Sequence, residues 1–160
     1  MITHPFPPLY NQNSKILILG SFPSVKSREQ CFFYGHPQNR FWKVVSSVLE
    51  CETPTTIEAK KAFLLEHGIA LWDVIASCEI TGSSDSSIKN VVPNDISEIL
   101  RTGDIKQIFV NGKTAEKYFG KYQKEAIGRN AICLPSTSPA NAAFSVERLV
   151  SEWSVIKEYL

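Results

Sequence analysis

No stretch of this chain is apolar for long enough to cross a bilayer. The longest clean run, Ile16-Leu17-Ile18-Leu19, has four residues, where a membrane helix needs about 20. The amino terminus, MITHPFPPLY, lacks both the basic start and the apolar stretch of a secretory signal. The expectation is a cytoplasmic protein with no membrane partner. An excess of one charge is also missing. The net charge is +1 and the pI is near 7.7, whereas bulk electrostatic grip on nucleic acid usually shows as a pI above about 9. Any nucleic-acid contact must therefore come from local patches and main-chain amides. Closely spaced cysteines are absent too, since Cys31, Cys51, Cys78 and Cys133 lie far apart with no CxxC. Zinc ribbons and most iron–sulfur sites need paired thiolates, so no metal, cluster or other cofactor is expected. No repeat, low-complexity tract or internal linker interrupts the chain.

What is present suits one globular domain over residues 1–160. The chain is 43% hydrophobic and 21% charged, and its length suffices to bury a core without disulfides. Only the first dozen residues, with Pro5, Pro7 and Pro8, read as an irregular lead-in. Four apolar runs read as buried strands: Lys15–Leu19, Ile69–Leu71, Ile105–Val110 and Ala131–Leu134. Their near-continuous aliphatic character, rather than alternation, predicts a sheet covered on both faces. Helical spacing recurs in Phe41–Leu49 and in Glu58–Leu65, which stops at Gly68. It returns in Ile96–Leu100 after a capping Asn94-Asp95, and in a long last helix from Ser145 through Leu160. Strands alternating with helices predict a parallel α/β sheet flanked by helices. Ligands of such sheets bind beyond the carboxyl ends of the strands.

The loops at those ends carry the candidate chemistry. The first reads GSFPSVKSREQCFFYGHPQNRFW. Ser24 and Ser27 offer hydroxyls to a phosphate, and Phe32, Phe33 and Tyr34 form an aromatic cluster. Asn39 stands where it can cap a helix or serve a ligand. In the second loop, Trp72–Asn90, Asp73 directly follows a strand, as a general base or as a cap. In the third, Asn111 either meets a ligand's amide edge or caps the next helix. The fourth, LPSTSPANAAFS, turns small hydroxyls and N–H groups outward before a helix. That arrangement suits an anion or a capped turn equally. Lys113, Lys117, Lys121, Lys124 and Arg129 could form a basic rim, but Glu116 and Glu125 interrupt it, which favours a solvated helix face.

GSFPS, YGHPQNRFW, VNGKTA and LPSTSPAN, in that order and each after an expected strand, resemble the uracil-DNA glycosylase superfamily. HPQNRFWKVV is similar to mismatch-specific uracil-DNA glycosylases. GSFPS with LWDV, GSSDSSIKN and LPSTSPAN looks closer to the hypoxanthine-DNA (deoxyinosine) glycosylase branch. The resemblance implies a three-layer α/β/α sandwich around a mostly parallel four-stranded sheet, and action on damaged DNA; a monomer is expected. The implied reaction is metal-free hydrolysis of an N-glycosidic bond, with hypoxanthine as the expected base. Phe22 stands where other branches carry a water-orienting Asn or Asp, and an apolar ring cannot do that work. The hypoxanthine branch assigns the role to the Asn of HPxN, which is Asn39 here. The resemblance further implies base contacts by Phe22, Tyr34, His36 and Asn111, with Tyr34 stacking on the base. Phosphate contacts would fall to Ser24, Ser136 and Ser138. Pro139-Ala140-Asn141 offers no large apolar wedge. Two rivals stand beside this expectation. One is a uracil or mismatch glycosylase using Asn39 or Asp73, and the other is a non-catalytic nucleic-acid-binding module.

Overall fold

A computed structural model describes residues 1–160. Its central sheet contains β2 (Ile16–Gly20), β3 (Ile69–Asp73), β6 (Gln107–Asn111) and β7 (Ala131–Leu134). They lie in the order β3-β2-β6-β7, and every neighbouring pair is parallel. All ten residues of β2 and β3 are buried, which is why those runs carry no polar alternation. Between β2 and β3 run α1 (Val25–Gln30), α2 (Phe41–Val48) and α3 (Ile57–Glu66). Between β6 and β7 run α5 (Lys113–Tyr122) and α6 (Lys124–Ile127). The chain steps one way from β2 to β3 and the other way from β6 to β7. Crossovers of one hand then place their helices on opposite faces, giving three layers. A contiguous cluster of 35 buried apolar residues fills the space between them. No helix is long and apolar enough to cross a membrane.

The structure adds a second sheet where a loop was expected. β1 (Ile2–Thr3), β4 (Ile75–Glu79) and β5 (Lys89–Pro93) pair antiparallel in the order β1-β4-β5. Much of Trp72–Asn90 is therefore strand. No turn separates β3 from β4, because the chain leaves one sheet and enters the other at Val74. Val74 N–H and Ile75 N–H donate to Gly20 O and Ser21 O, stitching this junction to the end of β2. The lead-in is ordered as well. Leu9 exchanges two main-chain hydrogen bonds with Leu71, covering the outer edge of β3.

Other boundaries shift for local reasons. β3 runs on to Asp73, and β6 begins at Gln107 rather than Ile105. Ser24 caps α1, a helix absent from the sequence expectation. Before α4 (Ser97–Thr102), Asp95 takes the Ser97 N–H, while Asn94 turns away and donates to Asp73 O. Ser145 caps α7 (Val146–Trp153) as expected, but the helix tightens to 3₁₀ over Ser154–Tyr159.

One side chain organises the loop after β7. Arg40 donates Nε–H to Thr137 O, Nη1–H to Phe144 O, and Nη2–H to Ser138 O and Asn141 O. Its main-chain N–H also donates to Thr137 O at 3.0 Å. From the other side, Trp153 Nε1–H donates to Pro135 O at 2.9 Å. Gly112, at φ +94°, lets the β6–α5 turn pass beneath, since a Cβ there would lie 3.0 Å from Ser136 Cβ. Arg40→Met should cost about 2 kcal/mol of stability, because several carbonyls lose a charged donor. In hydrogen exchange the loss of protection should concentrate in residues 135–144. Arg40→Lys should recover only part of it, since one ammonium cannot reproduce the planar fork.

Candidate active site

Gly20, Asp73, Asn111 and Leu134 end the four parallel strands at one edge of the sheet. Just beyond them opens a cavity of about 500 Å³, within the size range of small-ligand sites. Its walls are the turn after β2, the segment before α2, the Ser83–Ser86 tip of the β4–β5 hairpin and the Ser136–Ala140 loop. Ser24, Phe22, Tyr34, His36, Asn39, Asp73, Asn111, Ser136 and Ser138 all line it. Neither Lys nor Arg does. The hairpin tip is tied to α1: Val25 N–H donates to Ser83 Oγ, and Arg28 donates to Gly82 O.

The floor is built around Gly20. A Cβ there would come within 2.4 Å of Asp73 Oδ1 and 3.1 Å of the Tyr34 hydroxyl, so only glycine lets both oxygens sit where they do. Asp73 Oδ2 accepts Nε2–H from His4 at 2.7 Å, and both side chains are nearly fully buried. The His4 ring packs against Phe6 and Trp72, each with centroids 4.4 Å away. Nothing in the sequence marked His4, whose partner is 69 residues away. Tyr34 adopts φ +51°, a left-handed backbone uncommon outside glycine. Its ring stacks on Phe41 with centroids 4.1 Å apart and planes 16° apart. Its hydroxyl lies near the Asn111 amide without a hydrogen bond of normal geometry. Burial, reinforced by the Asp73 charge, pushes the phenol pKa well above its usual value, so the group keeps its proton.

A relay of amides and one hydroxyl forms the side wall. Asn111 Nδ2–H donates to Thr137 Oγ1, and Thr137 Oγ1–H donates onward to Asn39 Oδ1 at 2.9 Å. Thr137 N–H returns a hydrogen bond to Asn111 Oδ1. Asn39 Oδ1 also takes the Phe41 N–H at 2.9 Å, at the start of α2. Both lone pairs of that amide oxygen are thus occupied, while Nδ2 has no protein partner and stays accessible. Asn39, one residue before the N-cap Arg40, therefore closes a turn onto the first N–H of α2 and remains an open donor. Asn111 caps nothing, since Gly112 holds the start of α5 without a side-chain bond. Thr137, fully buried, is the hub that the sequence hid between two serines.

The hydroxyls divide into two kinds. Ser24 Oγ accepts the Ser27 N–H and donates to Ser27 Oγ, which leaves it no proton for a phosphate in this arrangement. Ser136 Oγ accepts the Ser138 N–H, and Ser138 Oγ accepts the Ala140 N–H. Each of these two keeps its own proton to donate. His36 Nδ1 accepts the Gln38 N–H, which places the ring proton on Nε2. Phe22 is half-buried, with the Arg28 guanidinium 5.7 Å from its ring centroid. No three His, Cys, Asp or Glu side chains converge as metal ligands.

Known proteins match this architecture and sequence along nearly the whole chain. The model of the uracil DNA glycosylase superfamily matches residues 7–157. A hypoxanthine DNA glycosylase of Methanosarcina acetivorans is 36% identical over 160 residues, covering 98% of each chain. One of the same name from Methanosarcina barkeri is 33% identical over 154 residues, covering 93% of this chain and 94% of its own. A solution NMR structure from Methanosarcina acetivorans, described as a candidate uracil DNA glycosylase, superposes with a TM-score of 0.83 at 35% identity. It covers 98% of this chain and 96% of that one. With the parallel sheet, the cavity at its carboxyl edge and these matches together, the chain belongs to the uracil-DNA glycosylase superfamily.

Proposed function

We propose that this chain is a monofunctional DNA glycosylase that hydrolyses the N-glycosidic bond of a flipped-out deaminated base, hypoxanthine first among them. It would act as a cytoplasmic monomer on damaged DNA without a cofactor. The observation that carries the proposal is Asn39. Its amide oxygen is locked by Phe41 and Thr137, and its nitrogen is left open at a cavity where Phe22 can orient no water. Two relatives named for hypoxanthine removal support the choice of base.

The chemistry follows from the bond. Cleaving a deoxyribosyl C–N bond builds oxocarbenium character on the sugar and negative charge on the departing base. So electrophilic a carbon needs water that is aimed more than water that is deprotonated. With Asn39 Oδ1 occupied, the amide acts through Nδ2–H, which takes one lone pair of the water and leaves the other for the anomeric carbon. The proton the water sheds on bonding passes to the departing base anion. His36 Nε2–H and the remaining Asn111 Nδ2–H are donors for the charge growing on the base. Tyr34, backed on one face by Phe41, offers its other face to the extruded base, a contact worth roughly 1–3 kcal/mol. The free protons of Ser136 and Ser138 hold the flanking phosphates, with Ser24 fixing the opposite wall. Neutral donors release few counterions, so binding should depend only weakly on salt.

The test is a panel of duplexes containing deoxyinosine, deoxyuridine or deoxyxanthosine, with alkali used to cut at abasic sites. Deoxyinosine should be processed fastest, and no scission on any damaged duplex would end the proposal. Asn39→Ala should slow excision by roughly 100-fold or more while affinity for abasic DNA is largely kept. The same change removes the acceptor of the Phe41 N–H and the Thr137 hydroxyl and should lower stability by about 1 kcal/mol, which a thermal melt reads separately. Phe22 favours one second reading, a protein that binds damage without cutting. Tight inosine-specific binding with zero turnover would select it.

A further inference from the structure

The Asp73 carboxylate is unused by the chemistry above, yet it lies on the cavity floor at the carboxyl end of β3, against Gly20 and beside the Tyr34 hydroxyl. Its side chain is 5% exposed, whereas Asn39, Ser136 and Ser138 are half-buried nearer the mouth. One oxygen is held by His4, and Oδ1 has no protein partner and reaches the cavity. An extruded nucleotide enters base first, because its phosphates stay on the strand at the rim. A group on that floor therefore meets the base edge farthest from the glycosidic bond. In a purine that edge is N1 and C6. A carboxylate there can only accept, so it pairs with a ring N–H and repels a ring nitrogen lone pair. Hypoxanthine carries N1–H, and adenine carries a lone pair at N1. A pyrimidine, shorter from sugar to far edge, reaches less deeply.

We propose that Asp73 Oδ1 is the base-reading acceptor of this site, and that His4 is the positioning residue that turns it into the cavity. The proposal rests on the glycosylase reading and adds what selects the base. Gly20 is part of the device, since any Cβ would displace the oxygen from its place at 2.4 Å. The buried Tyr34 hydroxyl beside it, without a hydrogen bond of normal geometry, makes the same floor polar. His4 acts through Asp73 alone, because its ring is otherwise enclosed by Phe6, Trp72, Phe22 and Phe33.

The experiment measures binding, apart from cleavage. Duplexes carry 2′-fluoroarabino-inosine or 2′-fluoroarabino-nebularine, whose fluorine suppresses the oxocarbenium and so blocks hydrolysis. Nebularine is the same purine without its lactam, and presents a lone pair at N1. The full-length protein should favour the inosine duplex by about 10-fold or more, the scale of one hydrogen bond to a charged acceptor. Asp73→Ala should bring the ratio close to one. Asp73→Asn should invert it, because the new carbonyl keeps the His4 hydrogen bond and the amide N–H₂ faces N1. His4→Ala should weaken discrimination, and His4→Gln should restore part of it. An unchanged ratio in Asp73→Ala, an uninverted one in Asp73→Asn, or no preference in the unmodified protein overturns the assignment. A protein that binds neither modified duplex better than undamaged DNA removes the glycosylase reading as well.

Discussion

The guanidinium of Arg40 gathers the carbonyls of Thr137, Ser138, Asn141 and Phe144 onto the start of α2, and the working face of the molecule hangs from that fork. A loop with two prolines and several small residues has little reason of its own to hold one shape. Arg40 supplies the reason, and the adjacent residue, Asn39, profits from it. Once Thr137 is drawn to the backbone of Arg40, its hydroxyl falls within 2.9 Å of the Asn39 oxygen. A cation near a nucleic-acid site would ordinarily be assigned to phosphate. Here the positive charge is consumed internally, and neutral hydroxyls and amides line the cavity instead.

That division explains a cavity lined by neither Lys nor Arg in a chain of net charge +1. In the proposed function shape and directed donors do the selecting, at the cost of weak long-range attraction. It also fits the two levels of the site. In the proposed function the polar groups near the rim address sugar and phosphate, while the floor carries the Asp73 carboxylate among aromatic rings.

The parallel sheet could be read in advance because buried strands declare themselves as unbroken aliphatic text. β2, for example, spells Ile-Leu-Ile-Leu before its glycine. The second sheet was illegible for the opposite reason. β4 and β5 are half-exposed, short and offset by register shifts, so IASCE and KNVVP show neither a continuous run nor clean alternation. Asn39 stood out from its motif, yet the occupation of its oxygen depends on Thr137, 98 residues away. His4 was hidden in a proline-rich lead-in whose order comes from pairing with residues near position 77. Partners this distant leave no local trace in composition or spacing.

The passage of the chain from β3 into β4 without a turn has a further consequence. Asp73 and Ile75 belong to different sheets, and only Val74 lies between them, pinned by its N–H to Gly20 O and by its carbonyl to Asn94 N–H. A single inserted residue at this crossing would send every β4 side chain to the opposite face. It would also pull the Asp73 carbonyl off the Asn94 amide that steadies it. Loops elsewhere can grow or shrink with the drift of sequence, but the spacing of these three residues is fixed by geometry on both sides.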